Sequence, residues 1–278
     1  MTVNCKYHEC DYEKAVLELL QNQGWQYTGG YDIHRKNDEI LLKDDLQQYL
    51  TARYGVFSPD ELGRIAGYVV GGEHQSLYNN MKTAYTRLMR GYTLHRDDDT
   101  TLFIEFFDME DGHCSNNIFR AVNQFEVDGY KRRIPDIVLF INGIPVSVFE
   151  LKNPADEDVS IAEAYTQTHV RYCKDIPDLM RFDFINVISD GANTKYGSLF
   201  SDYEFYFVWK STDGKDYAAD AQGIVLTHTL IAGLFAPATL LRVLHDYIYF
   251  PDNSSTNLVI LPKYYQYYGT EELFASIL

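Results

Sequence analysis

Basic residues are scarce in this 278-residue chain: 24 Lys and Arg stand against 40 Asp and Glu, a formal net charge of −16. Tight autonomous binding to a polyanion is disfavoured, because phosphate neutralisation needs Lys and Arg. The four cysteines, Cys5, Cys10, Cys114 and Cys173, are too scattered to suggest a disulfide framework. The N-terminal text has no apolar h-region, so it reads as no signal peptide, and no stretch approaches the length of a membrane span. A cytoplasmic location without a membrane partner is the expectation. No Gly-x-x-x-x-Gly-Lys-Ser/Thr loop occurs, so nothing here is expected to hold ATP. What the chain does have is a hydrophobic fraction of 46% with 15% aromatics. That is a globular composition, long enough to bury a real core.

Helical spacing dominates the first third. Ala15, Val16, Leu19 and Leu20 predict a helix from Tyr12 to Asn22, stopped by Gly24. A second is expected from Leu42 to Tyr54. Ser58-Pro59-Asp60-Glu61 then offers an N-cap, a first-turn proline and a capping glutamate. A further helix is expected from about Glu73 to Arg90. The period then changes to that of strands, at Thr101 to Phe107, Ala121 to Val127, the runs carrying Asp136 and Glu150, Asp183 to Ser189, and Tyr203 to Lys210. Between them Ser160-Ile161-Ala162-Glu163 reads as a second capping box, opening a helix that stops before Pro177. Ile224 to Tyr249 reads as helical with a break near Gly233 and Pro237, and Pro251 to Ser255 as a linker. Tyr264, Tyr265, Tyr267 and Tyr268 open a last aromatic segment. The expected architecture is an α/β domain over residues 1–250, a mixed central β-sheet flanked by helices with extra N-terminal helices, and a connector over 251–278.

Chemistry concentrates in one hairpin. Pro135-Asp136 opens an apolar run, and Glu150-Leu151-Lys152 closes the next, on the far side of Asn142-Gly143. Charges in apolar strands must be paired or bind metal. Two carboxylates that can share a divalent cation, beside an ammonium, are the parts of metal-dependent phosphodiester hydrolysis. Glu150 and Lys152 share one face of a strand. A two-residue type I′ turn at Asn142-Gly143 would pair Ile141 with Ile144 and leave Asp136 on the other face from Glu150. The expectation is therefore a three-residue turn through Ile141 and Asn142, with Gly143 as the bulge residue. Asp136 would then face Val148 and lie diagonal to Glu150.

Glu13, Gly24-Trp25, Val122-Asn123-Gln124-Phe125, the two hairpin runs through Asn153-Pro154, Asp175-Ile176-Pro177, Val187-Ile188-Ser189-Asp190-Gly191 and Trp209-Lys210 follow one another in order. This series resembles the N-terminal endonuclease region of the R (HsdR) subunit of type I restriction enzymes, a PD-(D/E)xK nuclease with a restriction-endonuclease-like core. The resemblance runs to about Tyr249. It implies Mg²⁺-requiring, ATP-driven cleavage of unmodified foreign double-stranded DNA, in a complex with methyltransferase (M) and specificity (S) subunits. ATP would be used by a motor that follows this region, which makes the chain a fragment or truncated form. The resemblance also implies Asp136, Glu150 and Lys152 as catalytic residues and Asp136, Glu150 and the Leu151 carbonyl as Mg²⁺ ligands, with Glu13 reaching in from the first helix. Family members carry Gln-x-x-x-Tyr on the helix after the Glu-x-Lys strand. Here Tyr172 fits the tyrosine place, but Thr168 falls in the glutamine place. Gln167 sits one residue early, about a hundred degrees round a helix. Either a local shift restores Gln167, or that contact is absent.

Blander readings stand beside these. On these readings Asp136 or Glu150 with Lys152 is a structural ion pair, Glu13 a solvated acidic face, and Lys131-Arg132-Arg133 a solvated turn rather than a phosphate contact. Asp190 is expected to form a turn, His169 to pack, and Asp97-Asp98-Asp99 to be a solvated loop. Cys5, His8, Cys10, His113 and Cys114 are too irregularly spaced for zinc. The terminal tyrosines are expected to pack on a downstream domain rather than stack on bases. Three function classes follow: an R-subunit nuclease domain, a non-catalytic docking module with a nuclease fold, and a free-standing exonuclease or junction resolvase.

Overall fold

The computed structural model describes residues 7–72, 76–110, 113–152, 160–215, 223–251 and 257–277. Cys5, Glu73, Asn153, Pro154, residues 252–255 of the expected linker and the His8 side chain lie outside what is described.

Four helices open the chain: α1 (Tyr7–Asn22), α2 (Lys43–Tyr54), α3 (Pro59–Val70) and α4 (Leu77–Arg90). The capping box at α3 forms as its residues dictate. Glu61 N–H donates to Ser58 Oγ at 3.2 Å and Ser58 N–H to Glu61 Oε2 at 2.8 Å. The strands β2 (Tyr92–His95) and β3 (Thr101–Ile104) make a separate hairpin, in whose turn Asp97 takes Arg64 at 2.7 Å and Asp98 accepts from Thr100.

The central sheet has six strands: β1 (Gln26–Gly29), β4 (Phe119–Asn123), β7 (Ile137–Ile141), β8 (Ile144–Leu151), β9 (Asn186–Ser189) and β10 (Thr194–Gly197), in that spatial order. β1 with β4 and β8 with β9 run parallel, and the other neighbours are antiparallel. Every residue of β7 and β8 is buried, which is why both read as unbroken apolar runs. A short ribbon of β5 (Val127–Asp128) and β6 (Arg132–Arg133) stands apart. Helices α5 (Ile161–Thr166), α6 (Cys173–Asp175), α7 (Pro177–Met180), α8 (Ile224–Gly233), α9 (Pro237–Arg242) and α10 (Tyr264–Ile277) complete the described fold. It is the mixed-sheet α/β architecture that the alternation of periods indicates. No single helix among the described residues is long and apolar enough to cross a membrane.

The hairpin departs from its expectation in an instructive way. Its turn is the two-residue one: Asn142 has φ +52°, Gly143 φ +78°, and Ile141 pairs with Ile144. The extra residue lies inside β8 instead. Phe140 pairs with Pro145 but Leu139 with Ser147, so Val146 is bulged out, and Ile137 comes opposite Phe149. One step further, Asp136 lies opposite Glu150. The two carboxylates reach one face, by a bulge in the strand rather than a wider turn.

Tertiary contacts explain the choice. Asn142 is fully buried, donating through Nδ2 to Phe106 O and Asn117 Oδ1, both at 2.8 Å, and accepting Ile118 N–H at 2.7 Å. The clamped turn has no space for a third residue. Pro145 cannot donate to the ladder, so β8 slips just after it. The segment before β9 then fixes the bulge: Phe184 N–H donates to Val146 O at 3.1 Å and Val148 N–H to Asp183 Oδ1 at 2.8 Å.

Asp183 is buried, and burial pushes its carboxyl up to about 8 despite hydrogen bonds from Val148 and Asn186. An unfolded aspartate releases its proton near pH 4, whereas the folded one holds it to about 8. Between these values the native state binds the extra proton, so stability falls as pH rises, by at most roughly 1.4 kcal/mol per unit. Asp183→Asn keeps an acceptor for Val148 and should flatten that slope. Denaturation midpoints at pH 5 and pH 8 for both proteins check this; parallel pH profiles would refute it.

Three other expectations change. Tyr203 to Lys210 is no strand: a 3₁₀ turn at Tyr203–Phe205 and a single Tyr196–Phe207 bridge replace it. Two of its aromatic residues serve the core, Tyr206 and Trp209 being buried, while Phe205 is exposed. Ser160 makes no side-chain cap, because Asp190 takes that role, accepting Ile161 N–H at 3.3 Å while its other oxygen holds Ala192 and Asn193 in a turn. Two of the α10 tyrosines pack on this chain itself, Tyr267 and Tyr268 lying 5.8 and 5.7 Å from Trp209, while Tyr265 stays exposed.

Candidate active site

At the end of β8 a closed set of side chains surrounds one buried carboxylate. Glu150 is 1% exposed. Lys152 Nζ donates to its Oε1, and Tyr172 hydroxyl donates to its Oε2 at 2.9 Å. Lys152 Nζ also reaches Gln167 Oε1 at 3.0 Å, and Gln167 Nε2 donates to Tyr172 hydroxyl at 2.8 Å. The four side chains thus form a ring.

The spacing problem at Gln167 is resolved by the backbone. Residues Gln167–Tyr172 wind as a π-helical turn between α5 and α6. In an ordinary α-helix, residues five apart lie about 140° round from each other. The i→i+5 winding of a π-turn brings them back to one side. Thr168, which holds the family's glutamine place, turns instead into the core, where its hydroxyl donates to Asn186 Oδ1 at 3.2 Å.

Asp136 completes the site from β7's leading end. Its Oδ2 accepts Leu151 N–H at 2.7 Å. Burial and the neighbouring Glu150 charge push its carboxyl well above the usual range, against the Leu151 N–H and Lys152. Tyr172 is likewise held well above its ordinary value by burial and by Glu150.

Glu13 is buried, not on a solvated face. It accepts from Asn123 Nδ2 at 2.5 Å and Gln124 Nε2 at 2.7 Å, and its charge adds to the pressure on Asp136. Gln124 adopts φ +49° and donates its N–H to Asp136 O at 2.9 Å, so it ties Glu13's partners to the aspartate. Tyr12 anchors α1 to the sheet through Ser189, at 2.7 Å. The roles of Asn123, Gln124 and Asp183 leave no local signature in the sequence, since each depends on a partner far along the chain.

The basic run is largely spoken for. Arg133 pairs with Asp175 at 2.5 Å, and Arg132 with Glu126 and Asp128, each at 2.8 Å. Lys131 is exposed and makes no ion pair among the described residues. Arg132 and Arg133 border an open cleft of about 340 Å³ whose other walls are Ile134, Gln167, Arg171 and Tyr172. His169 stacks on Tyr165 at 3.7 Å, and burial lowers it to about 4, so it is a neutral packing residue. Cys10 is disulfide-bonded, contrary to the expectation of no bridge, which removes it from any zinc set. His113 faces Glu110 at 3.0 Å instead.

Comparison with known proteins finds a family and several relatives that match along the chain. The model of the type I restriction enzyme R protein N terminus matches residues 6–205. The type I restriction enzyme HindI endonuclease subunit of Haemophilus influenzae is 28% identical over 97% of this chain and 26% of its own length. The putative MjaIXP endonuclease subunit of Methanocaldococcus jannaschii is 29% identical over 94% of this chain and 27% of its own. The EcoprrI endonuclease subunit of Escherichia coli is 25% identical over 97% of this chain and 82% of its own. The chain spans about a quarter of the length of the first two relatives. With most of its residues matched in order, the chain belongs to the family of type I restriction enzyme R protein N-termini.

Proposed function

We propose that this chain is a Mg²⁺-dependent DNA endonuclease domain of a type I restriction enzyme R subunit, hydrolysing phosphodiesters of unmodified foreign DNA. M and S subunits are its partners in that reading, and ATP is used only by a motor outside this chain. One observation carries it: Asp136 and Glu150 meet across β7 and β8 at the very end where Lys152 is fastened to Glu150.

The donor set suits a hard cation. Desolvation, together with repulsion from the buried Glu150 carboxylate, drives the half-buried Asp136 toward its protonated form, and a dication between the two would relieve that repulsion. Asp136 Oδ1 has no hydrogen bond among the described residues. Leu151 sends its N–H to Asp136, and in an extended strand the C=O leaves by the same edge, offering a third oxygen. A cation held by these groups would polarise a phosphate oxygen and lower the pKa of bound water. Lys152 Nζ, steadied by Gln167, orients the attacking water or balances charge on the phosphate as it transfers. Tyr172 locks the rotation of the Glu150 carboxylate.

Calorimetric titration of Mg²⁺ and Mn²⁺ tests the reading. Wild type is expected to bind, and Glu150→Ala to lose that binding. A heat-silent wild type would favour a docking module that keeps the fold without the chemistry.

A further inference from the structure

We infer that the cleft beside the Glu150 ring is a subsite for a DNA backbone phosphate, and that Arg171 is its contact residue. The inference takes its partner from the nuclease reading and adds where the strand lies. One wall is the π-turn, which supplies Gln167, Arg171 and Tyr172; the other is Arg132, Arg133 and Ile134, leading directly to Pro135-Asp136.

Charge separates the three arginines. Arg133 is neutralised by a buried carboxylate and Arg132 by two partly exposed ones. Arg171 is exposed and makes no ion pair or side-chain hydrogen bond among the described residues. In a chain of net charge −16, an uncompensated guanidinium at the mouth of a cleft is a specific feature. Its planar fork matches two phosphate oxygens. The winding that brings Gln167 and Tyr172 to Glu150 and Lys152 also sets Arg171 on the cleft wall, so a phosphate seated there is held beside the ring. The acidic remainder of the chain makes this a contact that positions the strand rather than one that grips it.

Fluorescence anisotropy of a labelled duplex, with Ca²⁺ present and at low salt, reads the contact. Arg171→Glu should weaken binding about tenfold or more and reduce the salt slope by about one. Arg171→Lys should lose much less, and Arg90→Glu, a charge-matched change at the exposed last residue of α4, should stay close to wild type. Equal losses in Arg90→Glu and Arg171→Glu would overturn the subsite, as would no binding by wild type at the lowest salt. Mn²⁺ calorimetry on Arg171→Glu keeps the two proposals apart. Cation binding unchanged with DNA binding lost supports the subsite; DNA binding that depends on Arg171 in a chain silent to Mn²⁺ would sink the nuclease reading and leave the subsite standing.

Discussion

On the proposed nuclease reading, replacing Lys152 with alanine should reduce plasmid cleavage at least about 10²–10³-fold when the chain is joined to a motor and to M and S subunits, while ATP turnover continues. The ammonium is joined directly to Glu150, and Gln167 holds it from the other side. Alanine removes both contacts and leaves Glu150 buried with Tyr172 as its remaining partner in the ring. That also costs stability, up to about 3–5 kcal/mol when a buried ion pair loses one member. Lys152→Gln separates the two effects, because it keeps polar contact with Glu150 and Gln167 but carries no charge. Loss of cleavage in Lys152→Gln with a near-normal melting temperature assigns the effect to the missing charge. Cleavage retained in either variant, with ATP turnover intact, would defeat the role given to Lys152.

Gly143→Ala should be the most damaging single methyl added to the described fold. The new Cβ would lie 2.1 Å from Leu42 O and 2.8 Å from Leu46 N, both backbone atoms at the start of α2. Neither can move without shifting the helix, and Leu42 N–H already donates to Gly143 O at 2.9 Å. The residue also sits at φ +78°, where an L side chain is strained. Overpacking of about 1–3 kcal/mol and conformational strain of about 1–2 kcal/mol sum to about 2–5 kcal/mol. Such a loss is a large fraction of a domain's stability. Gly24 supplies the control: at φ +95° with nothing within 4 Å of its would-be Cβ, Gly24→Ala carries strain without collision. Urea midpoints should fall clearly further for Gly143→Ala. Equal shifts would mean that α2 yields and the clash is relieved.

The helices were legible wherever a local signal decides the matter. Ser58, Pro59 and Glu61 act within one turn, so the start of α3 could be read directly. The shared face of Asp136 and Glu150 was legible from chemistry, since two strand carboxylates placed apart would make no sense. The device that aligns them was not, because it is set by Asn142 meeting Phe106 and Asn117, and by Asp183 meeting Val148. Those partners lie 25 to 36 residues apart in sequence. Gln167 shows the same limit. Its spacing to Tyr172 marks a misfit on an α-helix, but only Lys152 and Glu150 on another element make the extra residue worth winding in. Tyr203 to Lys210 has strand-like composition for a different reason: aromatic residues are as useful for filling a core as for pairing backbones.

The widened turn between Gln167 and Tyr172 gives this helix an unusual tolerance. It stores one surplus residue, so losing a codon from its interior would let the winding tighten into an ordinary α-turn. Glutamine and tyrosine would then stand four apart, still on one side. Two lineages differing by that single codon could therefore keep the same contacts around the glutamate, and an alignment that counts positions would score as divergence what the backbone has already absorbed.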